Sequence, residues 1–348
     1  MSVRPSTRRC GVLPAANLHR RSVYVLAGLS ACLLSAGCQP TGFLITPVPA
    51  DKSLQQRELS RTSFWAADKI ALIDVDGLLL NGESFTLLGE GENPVSFFVE
   101  KLQAAEKDKR IKGLVLRVNS PGGTVTASEI MHHEIRNYKQ RTGRPVVTVM
   151  TDVAASGGYY VACASDYLIA YPTTVTGSIG VLVQMFNLAG TLAKIGVETD
   201  AVKSGPNKDA GSPLRRMSPE ERAIFQSLID QFYEQFLTIV RAGRPNIDAE
   251  RLRELADGRV YSATQALDAG LIDRIGTMHD AVAEVKERAG LKDYRLITFH
   301  RPFGWKSTVY AAAPQRPPTQ VNLISLDLSE LLCRSASPQF MYLWQPGP

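Results

Sequence analysis

Cysteine is scarce in this chain, with five in 348 residues, too few for a disulfide-stapled mini-domain. No H-E-x-x-H and no cluster of Cys and His at ligand spacing occurs, so neither a zinc site nor another metal site is expected. No strong repeat of roughly 20–50 residues is present, which argues against a solenoid. Acidic residues are missing altogether from positions 1–37. What remains is an ordinary globular composition. Hydrophobic residues make up 44%, enough for a sizeable core and too many for wholesale disorder. The length allows one large domain or two of roughly 100–200 residues each.

The acid-free stretch carries Arg4, Arg8, Arg9, Arg20 and Arg21, followed by the uncharged run Val23–Ser35 (VYVLAGLSACLLS). A basic flank, a short apolar run and small residues at its end describe a secretory signal peptide. The run is shorter than the roughly 20 residues a spanning helix needs. It ends Leu34-Ser35-Ala36-Gly37-Cys38, which resembles the bacterial lipobox, where the cysteine is diacylated and becomes the new N-terminus. The alternative reading is an uncleaved membrane anchor. Both place the globular part at a membrane surface outside the cytoplasm, in a bacterial cell envelope on the periplasmic side. Residues 38–66 read as a polar tether, 67–299 as one domain, and 300–348 as an aperiodic, Pro-rich tail.

Within 67–299, Lys69–Val75, Gly113–Val118, Val146–Met150 and Tyr167–Tyr171 read as strands, several buried on both faces. Pro94–Lys107 and Thr126–Lys139 have helical spacing between them. The alternation predicts an α/β fold with a mostly parallel sheet covered by helices. A further helix starts at Ser218-Pro219-Glu220-Glu221, a capping box with proline in the first turn. Its stripe from Phe225 to Val240 reads as core or subunit contact. Ala263–Ala269 reads as a helix ending at Gly270, with Leu271-Ile272-Asp273 extended after it.

Three Gly/Ser segments follow strands: Asn119-Ser120-Pro121-Gly122-Gly123, Ala154-Ala155-Ser156-Gly157-Gly158 and Thr176-Gly177-Ser178-Ile179-Gly180. A serine at a strand-to-helix turn has its hydroxyl exposed beside helix amides, which makes Ser156 a candidate nucleophile. Taken singly, each segment is more often a plain turn. No G-x-S-x-G surrounds Ser156, because Ala154 holds the first glycine position. Histidine is the usual base, but His132 and His133 read as a solvated helix face, His279 as exposed, and His300 as the edge of the tail. Lysine is the other option, since a desolvated lysine can take a hydroxyl proton. Lys208 lies in Lys203–Pro213 (KSGPNKDAGSP), where a loop lysine is ordinarily a solvated charge.

Taken in order, NSPGG at Asn119–Gly123, AASGGYY at Ala154–Tyr160, TGSIGV at Thr176–Val181, Lys208-Asp209 within Lys203–Pro213, and GRVYSATQALDAGLID at Gly258–Asp273 closely resemble the bacterial signal peptide peptidase A family. This family, also called protease IV, comprises serine–lysine peptidases. The resemblance runs from about Lys69 to about Thr298. It implies a Clp protease/crotonase-like fold of repeated strand–strand–helix units. Ser156 matches the nucleophile, and Lys208, 52 residues downstream, matches the general base. Ser178 matches the hydroxyl that orients the lysine. Gly123, helped by the amide of Gly157, matches the oxyanion hole.

The resemblance further implies peptide substrates, chiefly signal peptides left after secretion, and no cofactor. A single copy of the domain resembles the short form, a ring-shaped octamer with shared active sites, whose C-terminal tail can occupy the active-site groove and be processed. The N-terminus departs from the family, which more often has a spanning anchor. Two other classes fit the fold: a crotonase-like acyl-CoA enzyme, and a non-catalytic envelope lipoprotein. The formal net charge of +5 does not point to nucleic acid. Removing residues 1–37 takes five of the 39 basic side chains and no acid, leaving 34 of each sign.

Overall fold

The structure is a computed structural model that describes residues 54–82, 93–300 and 339–344, with the backbone of 85–86 and 89–90 between them. The expectations placed on the leader, on Cys38 and on tail residues 301–338 and 345–348 lie outside the described residues.

In chain order come β1 (Gln55–Arg61), β2 (Lys69–Leu79), the short pair β3 (Phe85–Thr86) and β4 (Gly89–Glu90), and α1 (Pro94–Lys107). Next are β5 (Ile111–Thr124), α2 (Val125–Thr142), β6 (Val146–Ala155), α3 (Gly157–Ala162), β7 (Tyr167–Ala170), β8 (Val175–Gly177) and β9 (Leu182–Val183). Then follow α4 (Ala189–Lys194), α5 (Pro219–Gly243), α6 (Ala249–Leu255), β10 (Val260–Ser262), α7 (Ala263–Asp268) and β11 (Arg274–Ile275). The last are α8 (Met278–Arg288), β12 (Arg295–His300) and β13 (Phe340–Leu343).

The main sheet runs β1-β12-β2-β5-β6-β7-β11. It is parallel from β12 to β11, and β1 closes one edge antiparallel. Both faces of the central strands are apolar, which is why their sequences read as continuous hydrophobic runs. Ile70, Leu72, Val115, Val147 and Val149 pack under Ala281, Val282 and Val285 of α8. The residues one step along, Ala71, Ile73, Leu114 and Leu116, face Phe98 and Leu102 of α1 and Met131 and Ile135 of α2.

The expected strands all form, and β2, β5 and β6 continue past their apolar runs. β5 continues through Asn119–Gly123 because Leu78 and Leu79 of β2 pair beside Gly122 and Gly123. β1 (QQRELSR) falls in the segment expected to be tether. It is an edge strand that is almost wholly exposed, so no apolar alternation betrays it; its backbone pairing with β12 holds it. α5 begins as expected. Ser218 Oγ accepts from the Glu221 N–H (3.2 Å), and the Glu221 carboxylate accepts from the Ser218 N–H (2.9 Å).

His132 corrects the expectation of a solvated face, because it is buried. α2 turns it under α3, where its ring meets Tyr160 edge-on at 5.3 Å. Burial, with Arg136, His133 and Lys139 nearby, pushes the imidazole down to about 4. The unfolded chain takes up this proton near pH 6.5, the folded chain only near the lower value. Stability present above about pH 6.5 is therefore lost as pH falls towards about 4, on the order of 3 kcal/mol in all. Thermal melts across that window should fall more steeply for the wild type than for His132→Gln. Equal slopes would assign the proton uptake to another group.

Candidate active site

β6 delivers Ser156 to the start of α3. Its φ of 52° lies in the left-handed region, and Ser178 at 49° is the other non-glycine residue with positive φ among those described. Such a conformation costs about 1–3 kcal/mol and persists where its surroundings over-determine it. Here the Ser156 N–H donates to the Gly177 carbonyl (2.7 Å), and the Ser156 carbonyl accepts from the Tyr160 N–H (2.9 Å). The buried side chains of Tyr159, Tyr160 and Val161 pin α3 behind it. A serine on such a strand-to-helix turn presents its hydroxyl away from the helix.

β8 runs parallel beside β6 and sets Gly177 opposite Ala155, so Ser178 and Ser156 leave their strands side by side. Thr176 Oγ1 fastens the two by donating to the Ala154 carbonyl (2.7 Å), and the Ser178 N–H donates to the Arg259 carbonyl (2.8 Å). Gly122 approaches from β5. At φ +104°, a Cβ there would come within 2.7 Å of the Gly157 nitrogen, and a Cβ on Gly123 within 2.0 Å of the Leu79 carbonyl oxygen. Both positions demand glycine for close backbone approach.

The described part of the tail enters this site. β13 pairs antiparallel with β5, Tyr342 opposite Gly123 and Leu343 opposite Gly122, and with β9 on its other side, Phe340 opposite Val183. The Trp344 N–H donates to the Pro121 carbonyl (2.8 Å). A Cβ on Gly122 would meet the Tyr342 carbonyl oxygen at 2.0 Å, and one on Gly157 would meet it at 3.0 Å. That carbonyl therefore sits between the two glycine segments. The Tyr342 side chain fills a closed aromatic pocket, stacked on Tyr160 (5.0 Å) and tilted on Phe236 (4.7 Å). Its hydroxyl donates to the Phe232 carbonyl (2.8 Å). Tyr160 in turn donates to the Glu129 carboxylate.

This strand went unseen in the sequence because its Pro-rich neighbours dominated the reading. The run Phe340-Met341-Tyr342-Leu343-Trp344 was the available signal. It also splits the α5 stripe. Phe236, Leu237, Ile239 and Val240 are core, whereas Phe225 and Phe232 pack on Phe340. Half of a stripe expected to serve core or subunit contact thus forms a groove wall.

Lys208 hydrogen-bonds none of these groups. Its residue is exposed, and its ammonium makes no hydrogen bond or ion pair with any described residue. Its neighbour Asp209 is held by Arg215 and Lys203, which keep that carboxyl well below the usual range. The Lys208 loop is thus anchored while the lysine itself is free. Ser156 Oγ makes no hydrogen bond with a described residue either. His133, His279 and His300 are exposed, and no histidine bonds Ser156. The described residues hold no cluster of His, Cys, Asp and Glu that could bind a metal, and none of their helices is long and apolar enough to cross a membrane.

The glycine-lined groove, a strained serine at its centre and an extended strand laid across it define a Clp protease-like α/β protein built to hold a peptide. Sequence comparison agrees. Residues 71–176 match the Clp protease family and residues 138–292 match peptidase family S49. A protein of Enterococcus faecium named as a signal peptide peptidase is 38% identical over 232 residues, 66% of this chain and 67% of that one. A protein of Synechocystis named as a protease is 38% identical over 223 residues, 64% of this chain and 75% of that one. Protease 4 of Salmonella typhi is 36% identical, over 65% of this chain but 36% of its own length. The chain belongs to peptidase family S49, and it is a serine peptidase.

Proposed function

We propose that this chain is a membrane-tethered serine–lysine endopeptidase that hydrolyses remnant signal peptides and other membrane-derived peptides in the bacterial cell envelope. The observation that carries the reading is the Tyr342 carbonyl held beside Gly122 and Gly157, next to the turn that bears Ser156. A substrate strand in the same register brings its carbonyl carbon to Ser156 Oγ. The hydroxyl attacks, Lys208 takes its proton, and the amides of Gly123 and Gly157 receive the oxyanion. The lysine returns the proton to the leaving amine, and water then hydrolyses the acyl-enzyme. Ser178, beside Ser156, orients the lysine.

Because Lys208 is exposed and bonds no described residue of its own chain, the base is supplied by a neighbouring copy in a homo-oligomeric ring. Docking removes it from water, which disfavours its ammonium form. The cavity of about 510 Å³ lined by Ser178, Gly180, Asp257, Gly258, Leu343 and Trp344 is where such a side chain enters. Tethering rests on the basic, acid-free leader and the Leu34–Cys38 lipobox, with Cys38 as the lipidated residue. No cofactor or metal takes part.

The tail strand is a reversible occupant of the groove. Ordering its residues costs about 1–2 kcal/mol each in backbone entropy. Burying Tyr342 and its neighbours returns about 1.5–3 kcal/mol per large side chain, which nearly offsets that cost. The wild-type chain should cleave a synthetic signal peptide, and a chain ending before Gln339 should do so with a several-fold lower KM. No cleavage by either protein would refute the proposed substrate class, and an unchanged KM would place the tail outside the substrate path.

A further inference from the structure

β9 and the start of α5 enclose a second cleft of about 410 Å³, lined on one side by Val183 and Met185 and on the other by Phe225 and Ile229. Arg215, Arg216 and Arg222 also line it, and no carboxylate does. The arginines differ. Arg215 is engaged by Asp209 and Glu221. Arg216 and Arg222 are exposed, and their guanidinium groups bond no described residue. Two cations that pair with no described residue thus lie over an apolar floor whose described lining carries no counter-charge.

The cleft lies in line with the bound strand. β13 runs antiparallel to β9, with Met341 opposite Leu182 and Phe340 opposite Val183. The Phe340 ring rests on Phe225 at the cleft wall, centroids 6.1 Å apart. Continuing the register carries a peptide's preceding residues past positions 184, 185 and 186, into the cleft. The chain's own residues there in sequence, Ala336 to Gln339, carry no acid.

We infer that this cleft is a further substrate subsite, selecting peptides with an acidic side chain two to four residues before the position that Phe340 holds in the bound strand. This inference rests on reading the β13 groove as the substrate groove. Arg216 and Arg222 pair with the incoming carboxylate while Met185, Phe225 and Ile229 cover its stem. A peptide of this kind displaces the tail more readily than a neutral one, because Ala336–Gln339 offer these cations no carboxylate.

The test uses the full chain and internally quenched peptides built on Phe-Met-Tyr-Leu-Trp, with Glu, Gln or Lys three residues before the Phe. The Glu peptide should show a KM about three- to tenfold below the Lys peptide, with kcat alike, as expected for a pair of exposed charge contacts. The gap should shrink as salt is raised well above about 0.1 M. The double variant Arg216→Glu, Arg222→Glu should reverse the order. Equal KM values at low salt, or an order kept by the double variant, would overturn the subsite. Fluorescence anisotropy of the same peptides on Ser156→Ala reads binding without turnover. If nothing is cleaved but Glu still binds tightest, the subsite stands and the hydrolytic reading fails. Arginine-dependent binding to anionic vesicles without any peptide preference would instead assign the cleft to a lipid surface and refute the proposal.

Discussion

Ser156→Ala should lower kcat on a synthetic signal peptide by roughly 10⁴–10⁶-fold, the range seen when a serine peptidase loses its nucleophile. The fold should survive. Ser156 Oγ makes no hydrogen bond with any described residue, and the backbone bonds of Ser156 to Gly177 and Tyr160 do not involve its side chain. Its φ of 52° is as strained for alanine as for serine, so the turn keeps its geometry. Lys208→Ala should be of comparable severity and equally folded, because Lys208 is an exposed residue whose side chain pairs with no described residue. Circular dichroism and melting temperature check the fold, and steady-state kinetics read the loss. Normal turnover by a folded Lys208→Ala protein would remove lysine from the mechanism.

Mixing these two inactive proteins should restore activity. If each site combines Ser156 of one copy with Lys208 of the next, random mixing in a ring leaves about a quarter of the sites with both groups intact. Activity should then rise from background to about a quarter of the wild-type value, once subunits exchange under dissociating and reassociating conditions. A site complete within one chain predicts no recovery, since every copy then lacks one partner. The same mixture distinguishes a shared site from a lysine that swings inward on its own loop. The anchoring of Asp209 by Arg215, and of Arg215 by Glu221 at the start of α5, works against that swing.

Much of the scaffold is readable in the chain. Continuous apolar runs at Lys69–Val75 and Val146–Met150 mark strands buried on both faces, and Ser218-Pro219-Glu220-Glu221 carries its own capping chemistry. The Gly/Ser segments are equally visible. Nothing local marks them as neighbours, however, because the adjacency of Ser178 and Ser156 comes from the pairing of β8 with β6. β1 was invisible because backbone pairing, not side-chain burial, holds it. His132 was misread because its own helix is charged, while the surface that covers it belongs to α3. Phe225 and Phe232 could not be separated from the core half of the same helix until β13 appeared against them.

The sequence by itself determined the α/β class, and it offered the nucleophile candidate and the reading of an export leader. Each is written in local terms: a periodicity, a turn motif, and an uninterrupted absence of acids. Only the tertiary structure decided what lies in the groove and what is missing from it. Pairing Tyr342 with Gly123, more than two hundred residues away, and leaving Lys208 solvent-exposed both depend on how separate segments pack, which no spacing along the chain encodes. Backbone geometry at a few glycines and two strained serines marks where these distant segments meet.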